Sequence, residues 1–366
     1  MDHQDQDPLT TTTSSSSPPA VAPPLSDPLL SPATTFSSPG DLCLDLPLLL
    51  SLSSRGQWTH LLAHIAQSRS KSLLSQPPHH HLVYLSFNAL ALHKLRRYSD
   101  ASLEIQTLIP FDSPKYLYQT YPDLYPGRSG SMLPFSVRYL HADLPQRLGS
   151  REETLDRLYS LLDFVRHKKS TTAAATNICW KQREAFLLSA ICSNHFAHKE
   201  FDVCFSIVSE ILKSDPADPL LLSKLGYMQL QIGDLDGARA SFARVAAPGL
   251  ENLAGKNRAL EFMVEKDYVS AAREYDECIE RDPGDVVALN NKALCLMYLR
   301  DLSDSIKLLE GALESVPTAA VNETVVVNLC SMYELAYVNH GEVKKRLSSW
   351  IAKVAPEDFD SSCTRI

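Results

Sequence analysis

The sequence predicts an all-α solenoid, and three observations carry that expectation. From residue 48 onward apolar residues recur three and four positions apart, the spacing of one face of a helix. Asp-Pro and Gly-Asp pairs interrupt this pattern at regular intervals, and successive segments starting near Ala185, Pro219, Asn252 and Val286 are spaced by 34, 33 and 34 residues. Glycine is scarce, with 13 in 366 residues. That argues against a turn-rich β protein and against glycine-cradled nucleotide sites.

A self-similarity of 34 residues is the period of the tetratricopeptide repeat (TPR), a helix–turn–helix unit. Each unit needs small residues at positions 8, 20 and 27, where its two helices cross closely, and large ones at 4 and 24. The Pro219 unit supplies Leu222, Gly226, Ala238, Phe242 and Val245, and the Val286 unit Leu289, Ala293, Ser305, Leu309 and Ala312. The Asn252 unit has Ala259, Ala271, Tyr275 and Cys278, with Gly255 as a departure at position 4. The Ala185 unit has Leu188, Cys192, Cys204 and Val208, with Ile211 large where a small residue is usual.

In chain order, residues 1–45 read as a disordered Ser/Thr/Pro-rich tail, because that composition cannot bury enough apolar surface to offset its ordering entropy. Ser17-Pro18, Ser31-Pro32 and Ser38-Pro39 are either proline-directed phosphorylation positions or chance pairs in a solvated tail. The start lacks the basic n-region of a signal peptide and the Arg-rich, acid-poor character of a transit peptide. The solenoid spans 46–355. Arg55-Gly56-Gln57-Trp58 leads into Ile65 like the second helix of an incomplete unit. Leu82–Pro110 fits a unit with Leu85, Ala89, Tyr98 and Ala101 in place, and Phe135–Val165 fits another, with Gly149-Ser150 at its turn. Inserts fall near 111–131 and 167–176. After Pro317, Val325–Leu335 and Val343–Val354 read as capping helices, and 356–366 as a C-terminal tail. The count is about six units plus caps.

The chemistry-bearing residues form no catalytic constellation. No GxxxxGK[ST], HExxH, GxSxG or GxGxxG string occurs, so no enzyme and no cofactor is expected. Lys plus Arg number 35 against 43 Asp plus Glu, a net charge of −8, and six of those acids precede the first base, Arg55. The folded part is nearly neutral, which excludes a nucleic-acid grip. Eight cysteines without paired spacing read as reduced thiols, with Cys192, Cys204 and Cys278 acting as small apolar residues at helix crossings. His79-His80-His81, and His60 with His64, lack further ligands, so no metal site is expected.

Solenoids bind other proteins along extended surfaces. A carboxylate clamp for chaperone tails is not supported: position 5 reads Ser189, Ser223, Lys256 and Asn290, and the surrounding cations are absent. The candidate partner-binding residues lie in the first insert: Tyr116, Tyr118, Tyr121, Tyr125 and Arg128. Four phenol rings within ten residues is more aromatic area than a solvated loop exposes. They either pack back to fill the break in the repeat or face outward as interface anchors.

Two blocks are more specific than repeat spacing. YPDLYPGRSGSMLPFSVRYLHADLPQRLGSREETLDRLYSLL runs from Tyr121 to Leu162. ALNNKALCLMYLRDLSDSIKLLEGALE runs from Ala288 to Glu314, followed by NETVVVNLCSMYEL from Asn322 to Leu335. Both resemble the C-terminal TPR region of the trafficking protein particle (TRAPP) complex subunit 12 family, and the similarity covers about residues 48–355. Animal members carry a long acidic N-terminal extension that is not matched here, so the chain looks like a short, plant-like form. The resemblance implies a non-catalytic scaffold subunit of a vesicle tether in ER-to-Golgi trafficking and autophagy, cytoplasmic and peripheral at the Golgi. Implied partners are other TRAPP subunits, 11 and 8 foremost. The link to a Rab GTPase is indirect, and membranes are met only through the complex. The alternative is a free TPR adaptor that binds short peptide segments.

Overall fold

The computed structural model describes residues 46–72, 77–171, 174–245 and 249–365. The tail expected over 1–45, with its three Ser-Pro pairs, lies outside the described residues. Helices pair in order along the chain. α1 (Leu46–Ser54) and α2 (Trp58–Ser72) make the first hairpin, and α3 (Pro78–Lys94) and α4 (Tyr98–Gln106) the second. α5 (Phe135–Arg147) with α6 (Arg151–Thr171), and α7 (Ala174–Ala197) with α8 (Phe201–Ser214), follow. Next come α9 (Pro219–Gln231) with α10 (Leu235–Ala243) and α11 (Glu251–Val264) with α12 (Tyr268–Arg281). α13 (Val286–Tyr298) with α14 (Leu302–Ser315) completes the repeats; the short α15 (Pro317–Ala320) then leads to a closing pair, α16 (Glu323–Ala336) and α17 (His340–Val354). Among the described residues there are helices and no strand. The chain is an all-α TPR solenoid.

The repeat positions do what their size demands. Ala238, Ala259, Ala271, Ala293, Cys204 and Ser305 are all fully buried at the crossings. Gly226 lies so close to the ring of Phe242 that an added Cβ would fall 2.3 Å from it. At Gly255, the departure from the pattern, the Cys278 thiol fills the space: a Cβ there would sit 2.7 Å from its sulfur.

Helix starts are capped by side chains that accept backbone N–H groups: Asp218 from Leu220 and Leu221, Asp234 from Gly237, Asp267 from Ser270, Asp285 from Ala288 and Asn322 from Val325. Helix ends turn through a left-handed residue. Gly149 and Gly233 serve in two hairpins, but Arg96, Lys199, Lys266 and Arg300 serve in four others, with φ between 60° and 67°. A cation there meets the negative end of the helix dipole, which offsets part of the steric cost of a side chain at positive φ.

Three stretches differ in form from a plain repeat. The apolar run before Arg55 forms α1, so the first hairpin is complete rather than a lone second helix; Leu46 and Leu49 are buried in it against Trp58 and Leu61. Much of the stretch near 167–176 is helix: α6 extends to Thr171 and α7 begins at Ala174, with 172–173 outside the described residues. Lys, Thr and Ala in this stretch contain no helix breaker. Residues 356–365 also fold. Cys363 and Thr364 are buried, and Glu357 reaches back to Thr59 at the start of α2.

Candidate partner-binding surfaces

The first insert leaves α4 and crosses to α5 as two 3₁₀ turns, Pro114–Tyr116 and Tyr118–Thr120. It is tied across its base by Tyr118 N–H to the Gly130 carbonyl (3.0 Å) and Met132 N–H to the Tyr116 carbonyl (2.7 Å). Gly127 and Gly130 take positive φ and leave the backbone free to reverse.

The structure brings all five predicted residues together. Tyr116, Tyr118 and Tyr125 are buried, in one cluster with Leu82, Ala89, Ile105 and Leu140, and Tyr121 packs half-buried against it. The Tyr118 and Tyr125 rings meet edge-to-face at 5.1 Å, and the Arg128 guanidinium lies 5.3 Å from the Tyr118 ring. The Tyr125 hydroxyl hydrogen-bonds His79 Nδ1 at 2.5 Å, and burial raises its pKa above the usual phenol value. Three rings are thus packing residues rather than exposed anchors. Their area is too large to leave hydrated, and the gap between α3 and α5 receives it. What faces outward is the tip Pro122-Asp123-Leu124, with Tyr121 and Arg128 at its rim. The His79 ring is committed to this packing. Among the described residues no group of three His, Cys, Asp or Glu side chains could hold a metal ion.

A second surface follows the first helix of successive hairpins. Ser189 on α7, Ser223 on α9, Asn257 on α11 and Asn291 on α13, at or beside the clamp positions, recur every 34 residues as a polar column, with Asn257 buried within it. Ser223 Oγ donates to Asn257 Oδ1 at 2.7 Å, and Asn291 Nδ2 donates to the Tyr275 hydroxyl at 3.2 Å. Asn328 Nδ2 donates to Asn290 Oδ1 at 2.8 Å, which carries the column onto α16. Lys256, the cation at a clamp position, is held by Asp285 at 2.7 Å and is spent inside the protein.

At the head of this column α5, α6 and α7 enclose an open cleft of about 750 Å³, lined by Tyr139, Arg147, Arg151, Ser189, Ser193 and His198 among others. Its charges are mostly balanced locally. Arg151 forms a two-point pair with Glu200, and His195 bonds the same carboxylate; together they lower the Glu200 pKa to about 2. Asp143 is bonded by Gln146 and lies 3.3 Å from His93. Burial pushes the Tyr139 hydroxyl up to about 12 and the Cys204 thiol up to about 12, so neither ionises near neutrality. The cleft combines paired charges with the neutral donors and acceptors of Ser189, Ser193 and Asn194. No helix among the described residues is long and apolar enough to cross a membrane.

No protein-family model matches the chain. It is 31% identical over 300 residues to trafficking protein particle complex subunit 12 of Mus musculus, an alignment covering 75% of this chain and 38% of that protein. The Homo sapiens protein of the same name matches equally, with 41% of its length covered. The chain thus spans about two fifths of the length of the curated relatives it matches. Among solved structures it is similar to a tetratricopeptide repeat protein from Parabacteroides merdae, at 14% identity and a TM-score of 0.44 over 79% of this chain and 96% of that one. A TPR repeat-containing protein from Cytophaga hutchinsonii aligns at 14% identity and a TM-score of 0.42, over 77% and 98% of the two chains.

Proposed function

The chain is a relative of trafficking protein particle complex subunit 12, and from that premise we propose that it is a non-catalytic scaffold subunit of a TRAPP vesicle tether. The observation that carries this reading is the 31% identity sustained over 75% of the chain. The helical solenoid supports it, because stacked hairpins present long surfaces to several proteins at once.

The finer reading is that the protein works in ER-to-Golgi trafficking and autophagy from the cytoplasm, peripherally at the Golgi. It would contact subunits 11 and 8 and act on a Rab GTPase only through the complex. The rim of the first insert, Tyr121 and Arg128 with the exposed Leu124, is the surface proposed for those contacts. The cleft between α5, α6 and α7 favours a second reading, a free adaptor that binds extended peptide segments. One experiment separates them. Size-exclusion chromatography of the native, tagged protein, followed by affinity purification and mass spectrometry, should place it in a large assembly with other TRAPP subunits. Elution near its own 40.6 kDa without those subunits refutes the scaffold reading.

A further inference from the structure

The last ten described residues join the two ends of the solenoid, and their chemistry is specific. Pro356 packs on Gly56, where an added Cβ would fall 2.5 Å from the proline Cβ. The Glu357 N–H donates to the Gly56 carbonyl at 3.3 Å, while its carboxylate accepts from Thr59 N–H at 2.7 Å and Thr59 Oγ1 at 2.6 Å. Thr59 lies in the first turn of α2, where free N–H groups and the helix dipole favour an anion. Asp358 pairs with Lys94 at 2.9 Å and Asp360 with Arg96 at 2.7 Å, so three consecutive hairpin elements each receive one carboxylate. The other flank is anchored on the closing pair: Asp360 N–H donates to Glu323 at 3.4 Å, and the buried Lys344 donates to the Arg365 carbonyl at 3.4 Å.

We propose that the first two hairpins carry a docking site for an acidic segment, formed by the α2 N-terminus, Lys94 and Arg96, and that the chain's own residues 356–360 fill it as a reversible latch closing the solenoid into a ring. The contacts are individually weak, exposed and open to screening, so the latch can release without unfolding the helices it joins. A covalently attached occupant acts at millimolar effective concentration, which keeps the site filled until an acidic segment from elsewhere competes or salt rises. The latch goes beyond the scaffold reading and stands independently of it.

The test uses the full chain. Lys94→Glu and Asp358→Lys should each raise the radius of gyration in small-angle X-ray scattering, and the two together should return it to the wild-type value. A fluorescein-labelled peptide of residues 355–366 should bind the Glu357→Ala/Asp358→Ala/Asp360→Ala variant at least about tenfold more tightly than wild type, whose site is already occupied. Adding Lys94→Glu and Arg96→Glu should abolish that binding. An unchanged radius in both single variants, or equal peptide binding by wild type and the triple variant, overturns the proposal. If circular dichroism shows the triple variant unfolded, the reversed pair decides: restoration supports the latch, and failure to restore overturns it.

Discussion

Gly226→Ala sets two physical effects against each other. In a helix interior alanine is favoured over glycine by about 1 kcal/mol, so propensity alone makes the substitution stabilising. Packing opposes it. The new Cβ would fall 2.3, 2.6 and 2.8 Å from three ring carbons of Phe242, which is itself buried with Leu230 and Ala238. Carbon contacts settle near 3.5 Å, so the ring or the helix must move by roughly 1 Å in a filled space. Overpacking of this kind costs about 1–3 kcal/mol, leaving a net loss of about 1 kcal/mol. Gly311→Ala is the matched control: it lies in helix α14, is exposed, and would meet nothing within 4 Å, so it should gain up to about 1 kcal/mol. Urea unfolding followed by far-ultraviolet circular dichroism should therefore shift the two midpoints in opposite directions. A rise for both substitutions would refute the close helix crossing on which the repeat assignment depends.

Two further outcomes follow from buried groups. Burial, with Arg157 nearby, lowers the His141 pKa from 6.5 to about 4, so the unfolded chain takes up a proton before the folded one does. Stability should fall as pH drops from about 6.5 to about 4, and His141→Asn should flatten that slope in denaturation midpoints measured across this range. Tyr125→Phe keeps the ring but leaves His79 without its hydroxyl partner. It should cost about 0.5–1.5 kcal/mol in the isolated protein, whereas an unchanged melting curve would mean this hydrogen bond adds nothing to the packing of the insert.

Much of the fold was legible because the constraint is local and periodic. Ala259, Ala271 and Ala293 must be small wherever two helices cross, and the crossing recurs with each hairpin, so the phase survives even where Gly255 breaks it. The Tyr-rich insert was legible as aromatic but not as inside or outside. That depends on whether the gap beside α3 is empty, and residues 82–108 do not state this by any spacing. Leu46–Ser54 was placed in the solenoid, but a run with leucine at 46, 48, 49, 50 and 52 shows no single apolar face that would mark it as the first helix of a complete hairpin. The pairing of Glu357 with Thr59 could not be read at all. It joins residues 298 apart through hydrogen bonds from a helix-start amide and a hydroxyl to a carboxylate, and many exposed acids could have met many helix starts.

A linear array of hairpins has two weak places, its ends, because a terminal unit touches one neighbour where an internal unit touches two. Unfolding of such an array begins by fraying, and protection from hydrogen exchange falls off toward both termini. Joining residues 356–360 to Gly56, Thr59 and Lys94 gives the first and last hairpins the second neighbour they would lack. While the latch is closed, fraying of the first and last helices first requires its release, and salt, by opening it, should restore the fall of protection toward both ends.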